Sequence, residues 1–158
     1  IVEALANHNL EIGIFSKDML SSVFDYRDFI SVELVAAFSG DHPFNGKEKI
    51  TPDMLNGEKI ILSKVSNKVP GYITGYFKDN NCNPEIKYYK VIPPECTRLA
   101  AMGKGISFVP ERIAGEHYAH LDPPLMCDLV VGWNKRDTPT EEMMKLVNYI
   151  CGKEAHRQ

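Results

Sequence analysis

Leu99-Ala100-Ala101-Met102-Gly103-Lys104-Gly105-Ile106-Ser107-Phe108-Val109-Pro110-Glu111 changes its periodicity part-way along, and that change decides the fold class. A helix opening near Pro94-Glu95 buries Leu99, Ala100 and Met102, then stops at Gly103, because glycine takes the positive φ that closes a helix at little cost. Ile106-Ser107-Phe108-Val109 follows as a short buried strand, halted by Pro110. Gly103-Lys104-Gly105 is only a fragment of a glycine-rich loop. A helix cap followed by a tight entry into a strand accounts for it better than a phosphate cradle.

The same alternation runs outward in both directions. Upstream, Glu85-Ile86-Lys87-Tyr88-Tyr89-Lys90-Val91 alternates as a strand near a sheet edge, and residues 70–79 place Tyr72, Ile73, Tyr76 and Phe77 on one helical face. Lys59-Ile60-Ile61-Leu62 is a buried strand. Thr51-Pro52-Asp53 starts a short helix, with Thr51 as its cap and Asn56-Gly57 as its end. Ser31-Val32-Glu33-Leu34-Val35-Ala36-Ala37-Phe38 is another buried strand, running into a turn-rich segment at residues 39–46. Leu10-Glu11-Ile12-Gly13-Ile14-Phe15 enters a buried sheet, preceded by the last turns of an amphipathic helix at residues 1–6. Downstream, a turn of helix at residues 110–114 leads to strands at 117–121 and 125–133. Thr138-Pro139-Thr140-Glu141 then repeats the cap-then-proline signature, and Met143, Met144, Leu146, Val147 and Ile150 complete a final amphipathic helix. Strands alternating with helices predict an α/β fold with a largely parallel sheet.

Composition narrows the function. Of 158 residues, 18 are Lys or Arg and 21 Asp or Glu, a net charge of −3, which argues against a nucleic-acid-binding surface in this segment. Hydrophobic residues at 44% and charged residues at 25% are ordinary for a globular domain, and the apolar runs are far too short to span a bilayer. The start at Ile1 shows neither Met nor the features of a signal peptide, and is expected to be a cut from a longer chain. Cys82, Cys96, Cys127 and Cys151 have neither C-x-x-C spacing nor a His at ligand distance, so they are expected to be free thiols in a reducing cytosol, holding no metal.

No phosphate-loop, dinucleotide, nucleophile-elbow or zinc-protease signature is present in the sequence. Cys96, near a helix N-terminus, is the one candidate nucleophile, although cysteine more often serves as a small buried hydrophobe. His42 reads as part of a surface turn, and His117 and His120, three apart on a strand, point to opposite faces. Polar residues at the carboxyl ends of strands say more, because open α/β sheets bind ligands in the crevice outside those ends. Ser16 fits, as do Ser63, Lys64, Ser66 and Asn67 after the strand ending at Leu62. The backbone N–H groups of Cys96 and Thr97 could receive an anion.

Four segments in register resemble the effector-binding domain of LysR-type transcriptional regulators. Asp41-His42-Pro43-Phe44 is similar to that family's HPLA segment, and residues 99–111 to its glycine-rich "GlGI" segment, with Lys104 where a hydrophobic residue is usual. Leu10-Glu11-Ile12-Gly13-Ile14-Phe15 matches its "lDlai" strand, and Val130-Val131-Gly132-Trp133-Asn134-Lys135-Arg136 its closing strand. The resemblance implies a periplasmic-binding-protein-like fold of type 2. Residues 1–38 would form a partial first lobe and the outward crossover, 39–126 a complete second lobe, and 127–158 the return strand and C-terminal helix. It further implies a small metabolite held in the inter-lobe cleft, commonly a carboxylate or other small anion. Ser16, Ser63, Lys64, Ser66, Asn67, Cys96 and Thr97 would be the contacts; Lys64 would suit an anion and Glu95 would oppose one. Neither catalysis nor a cofactor is implied. The parent would be a cytoplasmic homodimer or homotetramer that touches DNA only through a helix-turn-helix outside this chain. The alternatives are a free-standing solute-binding protein of the same fold, which would need export, and an enzyme using Cys96 or a histidine.

Overall fold

The computed structural model describes residues 1–63, 70–89 and 91–154. In chain order the elements are α1 (Val2–Ala6), β1 (Gly13–Ser16), β2 (Phe24–Ala37), β3 (Lys49–Ile50), β4 (Lys59–Ser63), α2 (Gly71–Asp79), β5 (Glu85–Tyr89), α3 (Pro93–Ala101), β6 (Ile106–Pro110), β7 (Tyr118–Leu121), β8 (Leu125–Asn134) and α4 (Glu141–Glu154). The chain divides into two compact units, one made of Ile1–Val32 and the chain from Cys127 onward, the other of Glu33–Met126.

In the first unit β1 pairs antiparallel with β8, Phe15 opposite Val130, and the first part of β2 lies on the other side of β8. Period-two alternation sends successive β8 residues to opposite faces. Val130 packs with Leu5, Phe15 and Phe24, while Val131 and Trp133 pack with Val147 of α4. Both faces are covered, which is why this strand reads as a continuous apolar run. Gly132 makes room for the Phe15 ring, since a Cβ there would stand 2.7 Å from Cζ.

The cap of α4 is Thr140, not Thr138, its Oγ1 accepting the Met143 N–H at 3.1 Å. Leu146, expected on the buried face, is 48% exposed; Met143, Met144, Val147, Ile150 and Cys151 make the contact instead. β2 begins seven residues earlier than the apolar run at Ser31, because in its first half the apolar residues Phe24, Tyr26, Phe29 and Ile30 are interrupted by charged ones and most of the residues are exposed.

In the second unit β4 pairs parallel with both β5 and β6. The last residues of β2 run antiparallel to β6, Leu34 opposite Pro110, and β7 is antiparallel to β2 while β3 is parallel to β7. The sheet is therefore mixed rather than largely parallel. Parallel neighbours need a crossover, which α2 supplies between β4 and β5 and α3 before β6, whereas β6 reaches β7 through the single 3₁₀ turn Glu111–Ile113. Ile61 of β4 packs on Cys96 and Ala100 of α3, and Phe108 of β6 meets Phe77 of α2 at 5.9 Å between ring centres. Met102 is 69% exposed: α3 ends at Ala101, so Met102 sits on the cap just before Gly103 turns to φ +73°.

Thr51 precedes a 3₁₀ turn, Pro52–Leu55, and makes no side-chain cap bond to it. No described helix is long and apolar enough to cross a membrane.

Candidate functional site

The parallel strands β4 and β5 end together, Ser63 opposite Tyr89. Beyond them the chain reaches α3 through Val91 and Ile92. The Ser63 hydroxyl donates its proton to the Val91 carbonyl, which ties the end of β4 to the start of α3. Ser63 thus meets the connection that leads into α3, the helix that carries Cys96 and Thr97. Lys64, Ser66 and Asn67 lie outside the described residues.

The start of α3 differs from the expected anion receptor. An α-helix leaves the N–H groups of its N-cap and first three residues outside its own ladder. Here those residues are Ile92, Pro93, Pro94 and Glu95. Two are prolines, without an N–H. The Ile92 N–H donates to Glu95 Oε2 at 3.3 Å, and the Glu95 N–H donates to the Ile92 carbonyl at 2.9 Å. Cys96 and Thr97 come next along, inside the ladder.

The Cys96 side chain is 3% exposed and packs on Ile61 and Ala100. Burial first, and the neighbouring Glu95 charge second, push its thiol up from the ordinary value, so it is held as the unreactive thiol. Thr97 Oγ1 is buried and has no hydrogen-bond partner.

In the first unit β1 ends at Ser16, opposite Leu129. The Ser16 hydroxyl donates to the Asp18 carboxylate and accepts the Cys127 S–H at 3.7 Å. Lys17 Nζ donates to Asp28 Oδ1 at 2.7 Å and lies 5.5 Å above the Tyr26 ring; the Asp28 hydrogen bond raises the lysine further above its usual range. On the neighbouring strands the Ser31 hydroxyl donates to Asp128 Oδ1 at 2.6 Å. Asp18, Asp28, Asp128 and Ser31 were not legible as partners, since their pairing depends on strand register.

The histidines have separate local roles. His42 is half-buried, its Nδ1 accepting the Phe44 N–H at 3.2 Å, which leaves Nε2 as the protonated nitrogen facing Glu58 Oε2 at 3.4 Å. It holds its turn in shape against Phe44 and Phe38. His117 contacts Asn45, and His120 contacts Glu33 at 2.9 Å, so the two do not share a partner. Among the described residues no group of three or more His, Cys, Asp or Glu side chains is placed to hold a metal. A hollow of about 200 Å³, lined by His42, Gly57, Glu58, Lys59, Gly103 and Gly105, lies at the amino end of β4, away from Ser63. All four cysteines are free thiols.

A family model described as the LysR substrate binding domain matches residues 1–151. The chain is 24% identical over 111 residues to an uncharacterized HTH-type transcriptional regulator, YybE of Bacillus subtilis strain 168; the match covers 70% of this chain and 38% of that protein. The chain thus spans well under half the length of that relative. Among solved structures it is similar to the PA01 protein, a putative LysR family transcriptional regulator from Pseudomonas aeruginosa, with a TM-score of 0.77 and 18% identity over 98% of this chain and 57% of that one. It is also similar to the effector binding domain of QuiR in complex with shikimate, with a TM-score of 0.84 and 16% identity over 98% of this chain and 77% of that one.

Proposed function

Given that the chain belongs to the LysR substrate binding domain family, we propose that it binds a small-molecule effector at the carboxyl ends of its strands and relays that binding to the DNA-binding part of a longer regulator. The fold is the periplasmic-binding-protein-like fold of type 2, the family is one of transcriptional regulators, and QuiR of the same fold is known with shikimate bound. In this reading the two compact units, Ile1–Val32 with the chain from Cys127 onward and Glu33–Met126, stand for the two lobes, for which the sequence suggests residues 1–38 with 127–158 and residues 39–126.

Ser16 contributes in the first unit. Ser63 and Thr97 contribute in the second, together with Lys64, Ser66 and Asn67 after Ser63, and Cys96 packs behind them. The effector binds one state of the domain better than another, and the shift it produces is bounded by that difference in affinity. The regulator works in the cytoplasm, in keeping with four free cysteines, and assembles as a homodimer or homotetramer whose helix-turn-helix domains touch the DNA. This reading assigns it no catalytic role, in keeping with the burial of Cys96, the nucleophile the sequence offered, whose thiol is pushed up.

The observation that carries this reading is the family match across residues 1–151. Thermal denaturation against a panel of small metabolites tests it. A ligand at about 100 times its Kd adds about 2.7 kcal/mol of stability. A regulator that no metabolite stabilises, and whose operator binding none of them alters, refutes the effector role.

A further inference from the structure

Among the described residues His42 is the one histidine whose ring accepts a backbone N–H: the Phe44 amide donates to its Nδ1 at 3.2 Å. That bond closes the turn between β2 and β3, and it exists only while Nδ1 keeps its lone pair, as it does in the neutral imidazole. Across the ring, the Nε2–H faces Glu58 Oε2 at 3.4 Å, just ahead of β4. A second proton on the ring would have opposite effects at its two nitrogens. At Nδ1 it sets one N–H against another and breaks the bond to Phe44, while at Nε2 it turns a long hydrogen bond into a charge-assisted one. All of these residues belong to the unit Glu33–Met126, so the effect is internal to it.

The ring is held so that it can serve either partner. Only 14% of the His42 side chain and 31% of that of Glu58 is exposed, and Phe38 and Phe44 brace the ring at 5.3 and 4.6 Å between centres. The charged and titratable groups that face it are Asp41 on its own turn, Glu58 and Lys59 at the start of β4, and His117 by way of Asn45. Gly103 and Gly105, which line the same hollow, bring no charge, and Lys104 between them is exposed. Asp41 and Glu58 favour a proton on the ring; Lys59 opposes one. His117 escapes the conflict at Nδ1. Asn45 Nδ2 donates to the Gly40 carbonyl at 2.7 Å, which turns Oδ1 towards His117 and makes His117 Nδ1 the donor there, with or without a second proton on the ring. His8 and His120 meet carboxylates through Nδ1, so a proton strengthens both pairs.

We propose that His42 is a proton-operated latch: neutral, it holds the turn closed through Phe44; protonated, it releases Phe44 and pairs with Glu58. The closed turn is the high-pH form, and it loosens as pH falls through the range in which imidazoles take up a proton.

Amide and imidazole NMR signals of the purified protein, followed from about pH 8 to about pH 5, test the latch. Hydrogen exchange of the Phe44 amide, corrected for the intrinsic rate at each pH, is the second readout. The Phe44 signal should move in step with the His42 ring, and its protection should fall about fivefold, in line with one lost neutral hydrogen bond. A ring that takes up no proton over this range, or a Phe44 amide that stays protected while the ring titrates, overturns the proposal. His42→Asn puts a carboxamide oxygen in the place of Nδ1 and cannot titrate, so Phe44 should keep its protection throughout. Loss of protection with falling pH in this variant overturns the proposal as well. Should the variant lose the turn at every pH, Glu58→Gln decides. Without the carboxylate the coupled change should occur at lower pH, and an unmoved midpoint means that His42 does not pass from Phe44 to Glu58.

Discussion

Replacing Thr97 by valine exchanges a hydroxyl that bonds to nothing for a methyl group of the same shape. Thr97 Oγ1 is buried without a partner on the helix that packs on β4. An unsatisfied buried hydroxyl costs about 1–3 kcal/mol, and the intrinsic helix preferences of threonine and valine are nearly equal, so the desolvation gain is not offset by the backbone. Thr97→Val should therefore raise stability by about 1 kcal/mol. For a domain of this size that corresponds to a rise in Tm of about 2–4 °C. Denaturation by heat and by urea, without ligand, would measure it, and an unchanged urea m-value would show that the compactness of neither end state had moved. A Tm that falls, or does not move, would mean that the hydroxyl is satisfied in the folded protein, and the reasoning would be refuted.

Three further outcomes follow from the packing. Gly105→Ala should be strongly destabilising, by about 2–4 kcal/mol, because the new Cβ would stand 2.5 Å from the Lys59 carbonyl oxygen at a φ of +149°; a melting curve like the parent's would show that β4 and β6 can separate at little cost. Tyr76 is buried, donates to the Pro123 carbonyl at 2.7 Å, and has its phenol pushed up to about 12 by burial. The folded state thus favours the neutral phenol: the stability it contributes is complete below pH 10 and is lost as pH rises through about 12. Tyr118 is also raised, by its bond to Glu111, so an ultraviolet titration of the folded protein should show a late component that shrinks by one tyrosine in Tyr76→Phe. Cys82, Cys96 and Cys151 have their thiols raised, in each case by burial first, so a disulfide reagent at pH 8 should label them more slowly than free cysteine and much faster after unfolding.

Sequence periodicity located nearly every element, because apolar alternation is caused by burial and burial is what builds a sheet with covered faces. It failed where the cause was something else. The first half of β2 mixes apolar with charged residues and is mostly exposed, and its strand state comes from pairing with β8 more than from burial. Met102 continues the apolar pattern of α3 by spacing, but the helix has ended one residue earlier, and no spacing rule detects an end. Thr138 and Thr140 both match a cap, and only the hydroxyl geometry selects Thr140. At the candidate site the residue types were visible and their hydrogen-bond directions were not. Pro93-Pro94 stood in plain view, yet the loss of donors matters only once α3 is known to begin at Pro93 rather than at Glu95.

That last point separates a group that is polar from a group that is available. Serines at strand ends and residues at helix starts attract attention as ligand contacts because their polar atoms lie where secondary structure leaves bonds open. Those same open bonds are what a short connection must close if it is to hold its strand and helix in register. Ser63 closes the turn into α3 through Val91, Glu95 closes the helix start through Ile92, and Ser16 closes the end of β1 through Asp18. Each closure uses a proton, so a residue can be polar at a strand end or a helix start without offering a free donor. Thr97, one turn into the helix, has no such task, and its hydroxyl is buried without a partner.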